Sequence, residues 1–411
     1  MANTFIAPAR RTRRASLAVR LAVGATVTTL GLAGLTACGS DDDSTASDST
    51  SASADGMPSG GPGDGEAPGD GGGMGGSTTC EADDTDTISA STPDADTTEV
   101  TAEAVDAANA LIALLDDDQV TEVTQDFADL STKECSWSNF PDGLFSGRVG
   151  LRMGDLSDAQ QEAVMAILET VLSDQGLEYF TAQQGSEETL SSGEDDTTYG
   201  TANYHIAFYG DPSTDDAWAI QFGGHHLGIM VTVGDGALSV TPYFKGVQPI
   251  EYTNEDGESV EAMGDLADDF FALFTSMDDD TLAAAELSGT YDQLVMGPQS
   301  DTDYPDTEGV AYGDLTEEEQ ELVWSVIEGY VDDYDEDLAQ PLLDLYESQL
   351  EDTYVSWSGQ VDQDTTGSYL RIDGPRVWIE WANVDNPGES GIHLHTIYRD
   401  KELDYGTGTS S

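Results

Sequence analysis

Two stretches of this chain repeat each other at a nearly constant spacing, and that restricts its possible folds more than any other feature. Ala110-Leu111-Ile112-Ala113-Leu114-Leu115-Asp116-Asp117-Asp118 returns as Ala272-Leu273-Phe274-Thr275-Ser276-Met277-Asp278-Asp279-Asp280. Gly154-Asp155-Leu156-Ser157, followed by Gln161, returns as Gly313-Asp314-Leu315-Thr316, followed by Gln320. Further on, Gly236, Thr241 and Tyr243 fall opposite Gly391, Thr396 and Tyr398. The offsets of 162, 159 and 155 fit one duplication with small insertions and deletions. The expectation is two coupled halves, residues 80–260 and 261–411.

Within each half the hydrophobic period changes once. Ser157 and Thr316 are natural N-caps, with acidic residues in the turn that follows. Ala163, Val164, Ile167, Leu168 and Val171 then recur at helical spacing, as do Leu322, Val323, Val326, Ile327 and Tyr330. Strand-like alternation follows at Tyr204 to Phe208, Trp218 to Phe222, Leu227 to Val233 and Ala237 to Val240. The second half offers Tyr354 to Trp357, Tyr369 to Ile372, Val377 to Trp381 and Ile392 to Tyr398. Each half thus reads as helices followed by an antiparallel sheet, an α+β fold. The Asp116–Asp118 and Asp278–Asp280 runs read as solvated turns between helices. Asp332, Asp333, Asp335 and Asp337 invite a calcium loop, but Leu338 stands where that loop needs glycine.

The N-terminus carries Arg10, Arg11, Arg13, Arg14 and Arg20, and no acid precedes Asp41. An apolar stretch from Leu21 to Leu35 follows, too short and too weak to remain as a spanning helix. It ends in Leu35-Thr36-Ala37-Cys38, which resembles the lipobox of bacterial lipoprotein signal peptides. The resemblance implies cleavage before Cys38, acylation of its thiol, and anchoring on the extracytoplasmic face of the cell membrane. Residues 1–37 are then the signal peptide. Thr12-Arg13-Arg14-Ala15-Ser16-Leu17 also resembles part of a twin-arginine export signal, although Ser16 departs from its apolar position. Residues 38–79, rich in Gly, Ser, Asp and Pro, have too little apolar surface to build a core and read as a disordered tether. A flexible coil of about 41 residues reaches roughly 35 Å.

Five of the thirteen Lys and Arg residues lie in the signal, which leaves eight against 81 Asp and Glu. Such a surface repels nucleic-acid phosphates and anionic headgroups, so the membrane contact expected is the lipid alone. A protein or small-molecule partner stays open. Once Cys38 is acylated, Cys80 and Cys135 remain, and outside the cytoplasm a lone pair is most simply a disulfide.

Motifs spread over nearly the whole folded region resemble the family catalogued as domain of unknown function 3500. They include Cys135-Ser136-Trp137-Ser138-Asn139-Phe140-Pro141, Gly154-Asp155-Leu156-Ser157, and Trp218 through Gly224-His225-His226-Leu227. In the second half they are Trp357-Ser358-Gly359, Tyr369-Leu370-Arg371-Ile372, Ile379-Glu380, His393-Leu394-His395-Thr396, Arg399-Asp400 and Asp404-Tyr405-Gly406. The resemblance implies membership and carries no activity with it.

Candidate chemistry gathers on a few strands. Of the five histidines, His225 and His226 are adjacent, and His393 and His395 share a face of one strand because the side-chain period is two. Glu380 lies on the preceding strand. Two imidazoles beside a carboxylate have the composition of a site for one divalent transition metal, Zn²⁺, Fe²⁺ or Mn²⁺. His226 adds a ligand if the halves face each other; adjacent residues point to opposite faces unless a turn intervenes. A structural polar cluster of the same residues needs no metal. Arg371, Arg376 and Arg399 crowd the same strands and offer either anion binding or pairing with the abundant acids. The chain has no Gly-x-Ser-x-Gly elbow, Walker loop, His-Glu-x-x-His or Cys-x-x-Cys. Two uses stay open: a membrane-held binding or scaffold module, or a metal-dependent secreted hydrolase or oxygenase with its site between the halves.

Overall fold

In the computed structural model, residues 95–193, 196–300, 303–385 and 391–406 are described. The signal segment, the tether, Cys38 and Cys80 lie outside them. Cys135 is disulfide-bonded.

The helices are α1 (Thr98–Ile112), α2 (Asp117–Val123), α3 (Leu130–Cys135), α4 (Asp158–Val171), α5 (Asp174–Glu188), α6 (Gly264–Thr275), α7 (Asp279–Ala285), α8 (Glu317–Val331) and α9 (Glu336–Glu347). The strands are β1 (Thr124–Gln125), β2 (Leu151–Arg152), β3 (His205–Tyr209), β4 (Trp218–Gly224), β5 (Leu227–Val233), β6 (Tyr243–Val247), β7 (Glu251–Thr253), β8 (Ser259–Glu261), β9 (Val310–Ala311), β10 (Tyr354–Gly359), β11 (Ser368–Asp373), β12 (Val377–Asp385) and β13 (Ile392–Asp400). The fold is α+β, as the change of period predicts.

Local chemistry explains where the helices begin. Ser157 and Gln160 form a capping box at α4, and Thr316 and Glu319 form another at α8. The aspartate runs expected to be connecting turns start helices instead. Asp116 caps α2 and Asp278 caps α7, each accepting from the backbone N–H three residues on. Val164, Ile167, Leu168 and Val171 of α4 are buried, as are Val323, Val326, Ile327 and Tyr330 of α8. Burying each such aliphatic side chain is worth about 1.5–3 kcal/mol, which fixes both helices against the sheet.

One sheet runs through both segments of the chain, in the order β1-β3-β4-β5-β6-β13-β12-β11-β10-β9, with β2 also on β3. Among the strands named here only β1 pairs in parallel; β7 and β8 form a separate ribbon. The segments join where β6 pairs antiparallel with β13, placing Tyr243 opposite Tyr398 and Gly246 opposite His395. Alternation gives the sheet two faces. Ile379, Trp381, Leu394 and Tyr398 enter the large core with α6, α8 and α9. The other face carries Ala382, Val384 and Ile397 under the segments around Trp137 and Leu294. His393 and His395 lie on this second face.

One expected strand does not form. Ala237 to Val240 makes a single bridge, Ser239 to Thr232, beyond the stretch of β5 that β6 pairs (Leu227 to Ile229), and Ser239 Oγ donates to the carbonyl of Leu403 at 2.6 Å. The acidic run after α8 is not a loop of free carboxylates either. Asp333 is buried, accepting from Lys245 Nζ at 2.6 Å and from Tyr243 Oη at 3.0 Å, and so ties the α8–α9 corner to β6.

Candidate metal centre

His225 and His226 form the two-residue turn between β4 and β5, closed by the Gly224–Leu227 pair. His226 has a φ of 61°, a left-handed conformation that costs a non-glycine residue about 1–3 kcal/mol. The turn also removes the strand rule that sends neighbours to opposite faces. The rings of His225 and His226 stack, with centroids 3.7 Å apart. The backbone is held on both sides: His226 N–H donates to Asn139 O at 3.3 Å, and Gly246 N–H donates to His226 O at 2.8 Å. Gly246 supplies the space, since a Cβ there would stand 3.1 Å from His226 Cδ2.

Across the central strand pair, His226 meets His393 and His395 of β13. Ring centroids are 5.3 Å and 5.2 Å from His226, and 4.6 Å between the β13 pair. One ligand nitrogen from each of the three lies within 4.8 Å of the others. All three side chains are buried, and each imidazole is held below its ordinary range. For His226 and His395 burial is the main cause and the neighbouring histidines add to it. His393 is pushed down to about 4 by burial and by His225, against the opposing pull of Asp385. The set is therefore neutral at physiological pH, the form that binds metal. His226 Nδ1 and His393 Nδ1 are buried without a hydrogen-bond partner. Leaving such a nitrogen unsatisfied costs about 1–3 kcal/mol, a cost that an ion bound to it would remove.

His225 takes a supporting place. Its Nδ1 lies 2.7 Å from Glu187 Oε2 on α5, and Glu187 Oε1 accepts from Gly200 N at 2.9 Å. A carboxylate that only accepts fixes Nδ1 as the protonated nitrogen, the carboxylate–histidine arrangement that orients imidazoles around metals. The carbonyl of His225 accepts from Tyr204 Oη and from Gln183 Nε2. The fifth histidine, His205, is elsewhere, paired with Asp142 at 3.0 Å.

Glu380 is not brought into this group. It is fully buried, and its oxygens accept from Val295 N at 2.7 Å, Met296 N at 2.8 Å, Tyr369 Oη at 2.6 Å and Trp378 Nε1 at 2.8 Å. Four donors use the lone pairs that an ion would need. The reason is register: Glu380 sits opposite Ile397, whereas His395 and His393 sit opposite Ala382 and Val384.

The three arginines do not converge on one pocket. Arg376 grips Asp400 bidentately, with contacts of 2.9 and 2.8 Å. Arg399 donates to the carbonyls of Met296 and Gly297 and to Asp404. Arg371 is fully buried over the Trp378 ring, donating from Nε to Ser356 Oγ at 3.1 Å while Nη1 and Nη2 have no partner.

Two contributors carried no sequence signal of this role. Glu187 lies in the last turn of α5 beside Glu188, and Asn139 belongs to a loop. The side-chain amide of Asn139 stands 3.4 Å from His395 Nε2.

Residues 97–407 match the family described as Protein of unknown function (DUF3500), and the chain belongs to that family. Comparison with curated proteins and with solved structures found no match.

Proposed function

Taking membership of that family as the premise, we propose that the protein is an exported, lipid-anchored module that binds one transition-metal ion through His226, His393 and His395. One observation carries this reading. Three buried imidazoles from two distant parts of the chain face one another, two of them with orphaned nitrogens and one, His226, in a strained conformation. A purely structural cluster would be expected to satisfy those nitrogens. With Glu380 committed elsewhere the set lacks a carboxylate, which shifts the preferred ion from Mn²⁺ toward Zn²⁺ or Cu²⁺. The like order of elements on either side of the β6–β13 seam supports a duplicated origin for the two halves, with the site at their junction.

Binding is favoured over catalysis because Arg399, the residue suited to orient an anionic substrate, is used up by Met296, Gly297 and Asp404. Export and anchoring rest on the basic residues, the apolar run and Cys38. No helix among the described residues is long and apolar enough to cross a membrane.

Equilibrium dialysis of the mature chain against Zn²⁺, Cu²⁺, Fe²⁺ and Mn²⁺ separately tests the metal reading. The account requires saturable uptake of about one ion, lost in His226→Ala. Uptake unchanged in that variant would refute it. Labelling cells with a radioactive fatty acid tests the anchor: label on the wild type and none on Cys38→Ser is expected, and an unlabelled wild type would overturn it.

A further inference from the structure

We propose that Asn139 is the fourth ligand of this centre, turning its side-chain amide to present Oδ1 when an ion is bound. The inference rests on the three-histidine reading above and completes it.

Asn139 Nδ2 is 3.4 Å from His395 Nε2. Two donors that each lie about 2.1 Å from a tetrahedrally held ion stand about 3.4 Å apart. The tip of the amide thus occupies the place a fourth donor needs relative to His395. As the amide stands, that place is filled by an N–H that donates to the imidazole lone pair. A half-turn about the last side-chain torsion exchanges Nδ2 and Oδ1 with almost no change of shape. Oδ1 would then offer a lone pair beside that of Nε2, and no proton is gained or lost.

The backbone around the amide is fixed. The Asn139 carbonyl accepts from His226 N–H at 3.3 Å, so the backbone is tied to the strained turn itself. Arg148 Nη2 donates to the carbonyls on either side, Ser138 O and Phe140 O. Asp142 holds Arg148 at 2.7 Å and His205 at 3.0 Å. The loop is clamped around the amide while the amide can rotate.

The three histidines are buried, whereas Asn139 is partly exposed. This exposure makes Asn139 the side from which an ion enters and leaves. Three imidazoles and an amide oxygen form a neutral donor set, suited to borderline divalent ions and not to the hard, oxygen-seeking Mg²⁺ or Ca²⁺. The centre is therefore one that exchanges its ion, in contrast to a closed thiolate site that keeps it.

The test uses the full mature chain as wild type, Asn139→Ala and Asn139→Asp, with Co²⁺ for spectra and Zn²⁺ for affinity by chelator competition. Asn139→Ala should weaken Zn²⁺ binding about 10–100-fold. Its Co²⁺ bands should also fall toward the weaker intensity of higher coordination as water fills the position. Asn139→Asp should bind as tightly as wild type or more so. Wild-type affinity and spectrum in Asn139→Ala would overturn the inference and leave the three-histidine centre standing. A wild type that takes up no cobalt would overturn both.

Discussion

Gly246 stands directly opposite His395 on the neighbouring strand, and the side chain it lacks is the space that the ring of His226 uses. A Cβ at Gly246 would meet Leu394 O at 3.0 Å, Phe244 Cε1 at 3.0 Å and His226 Cδ2 at 3.1 Å. Two of these neighbours are packed and the third is a proposed ligand. Gly246→Ala is expected to cost about 1–3 kcal/mol of stability, the usual range for overpacking, and to displace the His226 ring. Urea unfolding together with zinc affinity checks it. A stable variant with unchanged affinity would show that the ring position is not set here.

Glu380 gives the sharpest contrast between the sequence reading and the fold. Its four donors make it an organiser of the segment around Val295 and Met296. Glu380→Gln puts an NH₂ group among donors, and the loss should be about 3 kcal/mol or more, since hydrogen bonds to a charged acceptor are worth about 1.5–3 kcal/mol each. Metal content of the folded variant should equal that of wild type. Loss of metal with the fold intact would return Glu380 to the ligand set.

Acid should destabilise the domain before its carboxylates titrate. His393 is held down to about 4 when folded, against 6.5 in the unfolded chain. As pH falls, the unfolded state therefore takes up the proton first. The stability contributed by keeping His393 neutral is complete above about 6.5 and is lost progressively down to about 4, at up to about 1.4 kcal/mol per pH unit. His226 and His395, lowered further by burial, act with the same sign. Urea midpoints of metal-free protein at pH values of about 7.5, 6 and 5 should fall, and fall less in His393→Asn. A flat profile would contradict the burial of neutral imidazoles.

The helix caps offer a test free of the site. Thr316 accepts from Glu319 N at 3.3 Å, and Glu319 Oε2 accepts from Thr316 N at 2.7 Å. Thr316→Ala should cost about 1 kcal/mol and leave metal binding unchanged. A neutral effect in thermal unfolding would mean that α8 is held by packing alone.

What the sequence made legible follows from period and capping. Ser157 and Thr316 start helices where their residue types require it, and Leu227–Val233 forms the strand its alternation describes. The shared face of His393 and His395 follows from the period of two. The rest depended on register and turns, which a single sequence does not encode locally. Glu380 is a neighbour of the histidines in strand order but is two rungs from His395 along the ladder, and that displacement decides its partners. His225 and His226 read as opposed neighbours unless a turn intervenes, and they stack because the turn falls on them. Asn139 sits far from His395 in the chain, and only the fold brings the loop over the histidines.

Metal content by mass spectrometry of the mature protein, purified without an affinity tag beside the His393→Ala, His395→Ala double variant, tests the central claim most directly. The account predicts about one equivalent of a single transition metal in wild type and none in the double variant. No bound metal in either protein, with the double variant merely less stable, would contradict it and make the histidines a device for holding the seam of the sheet.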